Sequence, residues 1–494
     1  MAATSICVHR GHRKDVPPNL IDSRDRDFQR ILWIDESTDR VQKYQLLTVT
    51  YGTASAPFLA LRVLKQLIIN EGGAFPLASS VLTNHIYVDD VLFGAEDIPL
   101  LRRAREQICD LLAKGGFTLC KWASNKSELL NNISPENHGL ACNRPLKLDD
   151  HINILGLSWN PVVDAFQFSV LLSTSCPHTK RSVLSAIAKL FDPLGWVTPI
   201  TITAKIFMQE LWRLQINWDE ALPPPSSTRW AIIYRNLSHL NGLKIDRWTG
   251  RGSDTARCEV HGFADASTAA YAAVIYMRVI SLSGDITVKL LIGKSQVAPL
   301  KPMSVPRLEL SAATLLAKLL EFIRESFNFK IDAFYCWTDS TVALAWVRSH
   351  SSRWKTFVSN RVADIQTCAP DAKWMYVSTR DNPAECASRG LLASELTPSS
   401  IWWHGPNWLH RSDSSWPAQP SSVDTTTSDE SKGVNAHITC PPDRWDLASR
   451  YSTWPKLIRI TAYLIRFGDR CRQRKGKSND DSKKSLALTH TECR

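Results

Sequence analysis

The chain has 494 residues, 44% of them hydrophobic and 22% charged, with a formal net charge of +11. That length accommodates roughly two to four domains, and the composition excludes a disordered or collagen-like polymer. The basic balance, with a pI near 9.1, points to a polyanionic partner and suits nucleic acid.

The 12 cysteines are scattered, with no closely spaced C-x(2–4)-C pair of a zinc ribbon, so they read as reduced thiols of an intracellular, cytoplasmic protein. The first residues lack the apolar core of a signal peptide, and no apolar run is long enough to span a bilayer.

Residues 1–20 show no hydrophobic period and read as a poorly structured start. Over 21–130, "FQRILWI" and "YQLLTVTYG" read as strands, and "APFLALRVLKQLI" as a helix opened by Pro57. "HIYVDDVLFG" reads as a hairpin with Asp89 and Asp90 near its turn, and "PLLRRAREQICDLLAKGG" as a helix stopped by Gly115-Gly116.

Over 131–250 the pattern stays mixed: strands at "INILGLSWN" and "AFQFSV", then helices at "KRSVLSAIAKLFDPLG" and "PITITAKIFMQELWRLQ". From 251 to 395 three strand candidates come in succession, at "CEVHGFADAS", "AAYAAVIYMRVI" and "ITVKLLIGKS". The long helix "PRLELSAATLLAKLLEFIRES" follows, then strand, helix, helix, strand and a last short helix at "NPAECASRGLL". This is an α/β domain whose first strands pair antiparallel. Residues 396–440 read as a linker, and 441–494 as an amphipathic basic helix with a charged tail.

Acidic residues in the α/β domain fall at informative places. Asp265 lies in or just past the first strand, Glu309 in the first turn of the long helix, and Asp339 at the end of the fourth strand. Asp381 and Glu385 lie near the last helix. Such acids repel one another when brought together. Divalent metal relieves the repulsion, and oxygen-only ligands suit Mg²⁺ or Mn²⁺. Three of these acids also have a plain alternative: Asp339 and Asp381 as helix N-caps, Glu309 as a partner of the helix dipole; Asp265, set between apolar and small residues, is the hardest to explain that way.

The motifs "FADAS", "VPRLEL", "CWTDSTVALAWV" and "NPAECASRG" resemble, in order, those of the ribonuclease H domain of Pao/BEL-type LTR retrotransposon polyproteins. "TVTYGTASAPFLALRVLKQL" and "HIYVDDVLFG" resemble palm motifs of that family's reverse transcriptase, and "KLFDPLGWVTPITITAKIFMQELW" resembles the segment joining the two. "WWHGPNWL" resembles the stretch after the ribonuclease H domain, and the C-terminal basic helix resembles the start of an integrase region.

The resemblance implies a multidomain α/β fold: a partial palm, a thumb or connection region, then a ribonuclease H-like domain. It implies hydrolysis of RNA in RNA–DNA hybrids, with two Mg²⁺ or Mn²⁺ ions held by Asp265, Glu309, Asp339 and Glu385. The family usually has aspartate where this chain has Glu385, a methylene longer. Asp89 and Asp90 match the paired palm aspartates, but "DVPPNLIDS" stands where the third polymerase acid belongs, and the fingers are missing. Asp15 and Asp22 lie nearby, and Pro17-Pro18 argues against a palm strand there.

The polymerase half therefore reads as a remnant holding template–primer, with Lys121, Trp122 and Asn125 as backbone and stacking contacts. Two rivals remain: a catalytically dead nucleic-acid-binding remnant, and an aspartic peptidase, a label attached to the "FDPLG" region. No D-[ST]-G triplet supports the latter.

Overall fold

The computed structural model describes residues 3–8, 20–35, 40–50, 52–87, 90–95, 97–131, 133–134, 137, 152–154, 156–396, 400–420, 430–431 and 451–473. Contacts divide the chain at residue 431.

The first part starts with β1 (Ala3–Val8), followed by an isolated hairpin of β2 (Arg30–Asp35) and β3 (Arg40–Gln45). Then come α1 (Ala56–Glu71), α2 (Pro76–Asn84), β4 (Ile86–Tyr87), β5 (Asp90–Ala95), α3 (Ile98–Lys114) and β6 (Trp122–Ser124). These strands form a sheet in the order β4-β5-β1-β6. Helix α3 starts where the Asp97 carboxylate accepts the Leu100 N–H at 2.6 Å. It buries Leu101, Ile108, Leu111 and Leu112, a three- to four-residue spacing, into a core shared with Val91, Phe93 and Trp122.

The N-terminal segment differs from its unstructured reading, because β1 pairs antiparallel with both β5 and β6. A strand paired on both edges takes its stability from long-range partners, so a short "ATSICV" run carries no local period that announces it. The predicted strand "YQLLTVTYG" ends early, at Gln45.

A second sheet, β10-β9-β8-β7, contains β7 (Ile152–Ile154), β8 (Leu157–Asn160), β9 (Ala165–Gln167) and β10 (Lys244–Asp246). Between β9 and β10 run α4 (Lys180–Ala188), α5 (Thr198–Arg213) and α6 (Pro224–Asn236).

The third sheet has the order β13-β12-β11-β14-β15. Its strands are β11 (Thr255–Ala266), β12 (Ala270–Ser281), β13 (Ile286–Val297), β14 (Ala333–Thr338) and β15 (Lys373–Tyr376). β11, β12 and β13 pair antiparallel, while β14 lies parallel to both β11 and β15. The parallel steps are made by α7 (Val305–Ser326), α8 (Thr341–Arg348) and α9 (Thr356–Cys368). Two short helices follow, α10 (Ala384–Arg389) and α11 (Ile401–His404).

One face of this sheet is closed by α7 and α9, with Leu308, Leu316, Leu320, Val358 and Val362 buried against Val260, Ala264 and Ile275. The other face carries Phe263, Tyr276 and Trp337, and its cover comes from two distant stretches. Helices α4 to α6 supply Ile200, Phe207 and Trp230, while Trp402, Trp408 and Leu409 come from beyond the last strand.

Two expected boundaries are thereby corrected. The connection region is not separate from the α/β domain, because α5 shares its core. The stretch assigned to a linker at 396–440 is in part a packed cover, with Trp402 and Leu409 fully buried. Its Ser-rich composition masked an aromatic spacing that a sheet face can use.

The junction is close-fitting. Gly195 has φ +69, and a Cβ there would lie 1.7 Å from the Gly293 carbonyl oxygen of β13. The Leu194 carbonyl accepts the Gly293 N–H at 2.9 Å. The Trp196 indole donates to Leu291 O at 3.2 Å, and the Trp402 indole donates to Trp196 O at 2.7 Å.

A buried charge network fastens the C-terminal cover. Glu259, His261 and Arg278 are fully buried. Arg278 donates to Glu259 at 2.6 Å, Leu409 O at 2.9 Å and Arg411 O at 2.7 Å, and pairs with Asp413 at 3.0 Å. Beyond residue 431, one helix is described, α12 (Trp454–Gln473), where the basic amphipathic helix was predicted. No described helix is long and apolar enough to cross a membrane.

Candidate active site

Asp265 is the penultimate residue of β11, buried and paired across the sheet with Ala272. The Ser388 hydroxyl of α10 donates to its Oδ2. Burial raises the Asp265 carboxyl to about 6, and the negative charges of Asp339 and Glu385 add to that rise against the pull of the Ser388 hydroxyl.

Asp339 follows β14 directly and takes two hydrogen bonds: Thr379 Oγ1 to Oδ2 at 2.7 Å and Asn382 Nδ2 to Oδ1 at 3.3 Å. It is not the N-cap of α8. That role belongs to Ser340, whose hydroxyl accepts the Ala343 N–H at 3.0 Å and itself donates to Glu309 Oε2. Capping is thus done by the neighbour, which leaves the Asp339 carboxylate to face the other acids.

Glu309 is the fifth residue of α7, just past the first turn in which the sequence placed it. The dipole reading loses weight at that depth, because the effect fades within the first turn. Burial raises its carboxyl, and Asp339 and Asp265 contribute further.

Glu385 lies in the first turn of α10, half-buried, with Oε1 bonded to Arg389 Nε at 2.8 Å. Asp381 stands apart: it ends a short 3₁₀ turn and accepts the Ser378 hydroxyl at 3.0 Å.

Four carboxylates from a strand, two helices and a strand end therefore act on one another electrostatically. Among the described residues, however, no group of three or more His, Cys, Asp and Glu side chains is arranged to hold a metal ion. The donor chemistry still fits a hard divalent cation, since all four are carboxylates; burial does most to raise Asp265 and Glu309, and the neighbouring negative charges, which a cation would offset, add to it.

Sequence reading missed the side chains that hold these acids. Asn382 is buried and ties three elements: it donates to Ala264 O at 3.0 Å and to Asp339, and accepts the Ala384 N–H at 3.2 Å. Ser388 lies three residues after Glu385, the spacing that puts two helix side chains on one face, so "NPAECAS" did contain that signal.

The polymerase-like aspartates fare differently. Asp89 lies outside the described residues, and Asp90 begins β5 opposite Val8 of β1. Strand β1, "ATSICV", runs beside that position and contains no carboxylate.

Of the three expected nucleic-acid contacts, Trp122 is corrected. It is buried, packed edge-on to Phe93 at 6.4 Å, and offers no face for a base to stack on. Lys121 is half-buried with φ 60, and Asn125 donates to Asp164 at 3.2 Å. Asp192 of "FDPLG" accepts the backbone N–H groups of Trp196 and Val197 at 2.9 and 2.8 Å, the work of a turn cap.

Residues 179–340 match the family described as the Pao retrotransposon-like RNaseH-like domain. The chain carries a Pao-type RNaseH-like domain. The match begins at the residue capping α4 and runs to Ser340, so the Pao domain includes the helical cover together with the first four strands. Its description names no peptidase.

No curated protein matches the chain. Among solved structures it is similar to the foamy viral protease-reverse transcriptase in complex with RNA/DNA hybrid, at 14% identity over 76% of this chain and with a TM-score of 0.45. The chain spans 44% of that protein's length. LC11-RNase H1 in complex with RNA/DNA hybrid is 11% identical over 28% of this chain and all of its own, with a TM-score of 0.21. An N-terminal RNase H domain from Mycobacterium tuberculosis, solved as a fusion with maltose binding protein, is 13% identical over 28% of this chain and 96% of its own, with a TM-score of 0.19. These likenesses are too distant to bear on activity.

Proposed function

We propose that this chain is a metal-dependent ribonuclease that cuts the RNA strand of RNA–DNA hybrids, and that its palm-like half no longer polymerises. What supports the reading is that Asp265, Glu309, Asp339 and Glu385, four acids from four elements, form one chain of electrostatic neighbours, the first three of them inside the residues that match the Pao RNaseH-like family.

Asp265 and Asp339 flank the reacting phosphodiester, Glu309 approaches from the α7 side, and Glu385 completes the set from α10. Mg²⁺ or Mn²⁺, when bound, supplies charge compensation for these acids and for the phosphodiester. The chain's own polar side chains set the geometry. Ser388 fixes one Asp265 oxygen, Thr379 and Asn382 fix both of Asp339, and Ser340 turns Glu309 toward the group. With its carboxyl near 6, Asp265 takes a proton just below neutrality, so protonation competes with cation binding there.

The test is cleavage of a labelled hybrid by the full chain with Mg²⁺ or Mn²⁺, alongside Asp339→Asn. Cleavage by wild type that falls to background in the variant supports the site, and cleavage that survives the substitution sinks it. Primer extension by the same protein would refute the inactive palm, which rests on a β1 strand without a carboxylate beside Asp90.

A second reading has its own observation. Glu385 is drawn to Arg389, and no three of the acids stand ready for a cation. A catalytically dead remnant that still binds nucleic acid through its positive charge would bind hybrid with steep salt dependence and leave it intact.

A further inference from the structure

On the α7–α9 side of the sheet, a ring and two guanidinium groups form a cluster that the acids do not use. Arg361 lies 3.6 Å from the centre of the Phe357 ring, and Arg307 lies 5.0 Å from it. Arg361 is within electrostatic reach of Arg307 and Tyr271, and Tyr271 pairs with Ala266, next to Asp265. Arg307 itself is two residues before Glu309 on α7. Two positive groups are thus held against one ring; Arg361 has the Asp364 carboxylate within electrostatic reach, and Arg307 needs an anion of its own.

The chain supplies one. Glu430 accepts from Arg307 Nε at 2.7 Å and pairs with Nη2 at 2.6 Å, and its side chain is only 14% exposed. Its backbone is fixed too: Glu430 O accepts the Lys355 N–H at 2.7 Å, and Ser431 forms an antiparallel bridge with Trp354. A carboxylate delivered from more than a hundred residues away along the chain therefore sits on the Arg307 guanidinium.

We propose that the Arg307–Arg361–Phe357 cluster is a seat for a backbone phosphate of the bound nucleic acid, and that Glu430 occupies that seat as a built-in competitor. A guanidinium accepts carboxylate or phosphate oxygens with the same fork of donors. Release of Glu430 would free Arg307 at the moment a phosphate arrives, so substrate and latch exclude each other. The inference rests on the hybrid-binding reading above.

The experiment measures binding of a fluorescent RNA–DNA hybrid to the full chain by anisotropy in EDTA, so that no cleavage occurs. Glu430→Gln removes the charge and keeps the shape; the hybrid should bind about fivefold tighter, the upper scale of one partly exposed ion pair. Arg307→Ala should weaken binding, and Arg307→Ala combined with Glu430→Gln should show none of the gain, because the seat itself is gone. Thermal melts of each variant confirm that the fold is kept. Hybrid binding that is unchanged by Glu430→Gln, or a gain that persists without Arg307, overturns the latch while leaving the nuclease reading intact. Failure of wild type and Glu430→Gln alike to bind hybrid overturns both.

Discussion

Replacing Arg278 with methionine keeps the side chain's bulk and removes its charge. In the native protein this guanidinium is fully buried and meets Glu259, Asp413 and the carbonyls of Leu409 and Arg411. Burial works to raise the Glu259 carboxyl, but the hydrogen bonds from His261 and Arg278, with the charge of Arg278, outweigh it and hold the group below its usual range.

The substitution leaves Glu259 with Arg257 and with His261, whose ring burial keeps neutral. Breaking one side of a buried ion pair costs about 3–5 kcal/mol, and the two abandoned carbonyls push the same way. Since Arg257 survives beside Glu259, the lower part of that range, about 3–4 kcal/mol, is expected. In the compact unit that ends at Ser431 that corresponds to a fall in Tm of roughly 3–4 °C.

Guanidinium denaturation of the full chain, followed by tryptophan fluorescence, measures it. The companion is Arg278→Met with Glu259→Leu, which removes both charges and should recover most of the loss. A single variant within about 1 kcal/mol of wild type, or a double variant less stable than the single, would refute the assignment of this network as the fastening of the C-terminal cover.

A fragment of residues 250–395 should fail to fold cooperatively and should bind a hydrophobic dye, whereas 179–431 should give a sharp melt; equal melts would show that the covers are dispensable. Glu385→Asp shortens the side chain, takes it away from Arg389, and should raise hybrid cleavage under Mg²⁺; a lower rate would show that the longer acid is the fitted one. Asp192 has a folded carboxyl raised to about 6 by burial, against the pull of its backbone donors. The fold therefore binds this proton more tightly than the unfolded chain does. Stability from this group rises as pH falls from about 7 to 4, by up to about 3 kcal/mol. Asp192→Asn should flatten that slope in denaturation midpoints at the two pH values, and an unchanged slope would refute it.

The α/β domain was legible because its signals are local. Three strand runs and a proline-opened helix burying Leu308, Ala312, Leu315 and Leu319 all follow from local period and helix-start chemistry. What escaped was non-local. No pattern in "ATSICV" foretells a strand held by β5 and β6, and the Ser-rich 401–416 stretch shows its purpose only once Tyr276 and Trp337 need a cover. The acids could be named as candidates because carboxylates announce themselves, while Asn382 and Ser388, which bond to two of them, are ordinary polar residues until the fold brings Ala264 and Asp265 beside them. Trp122 was misread for the converse reason, since an aromatic next to a lysine looks the same in sequence whether it faces solvent or core.

The two-sided cover of the sheet also bears on where this chain can be cut. Protein released from a longer precursor must be severed at points whose flanking pieces part without exposing a core. Here Gly195 meets Gly293, and Trp402 packs on Gly293 and donates to Trp196 O, so a cut between α4 and Trp416 would part pieces that share one core. A ribosome must finish Trp416 before the Phe263–Tyr276–Trp337 face is shielded, which delays completion of the RNaseH-like core to well after its last strand has emerged.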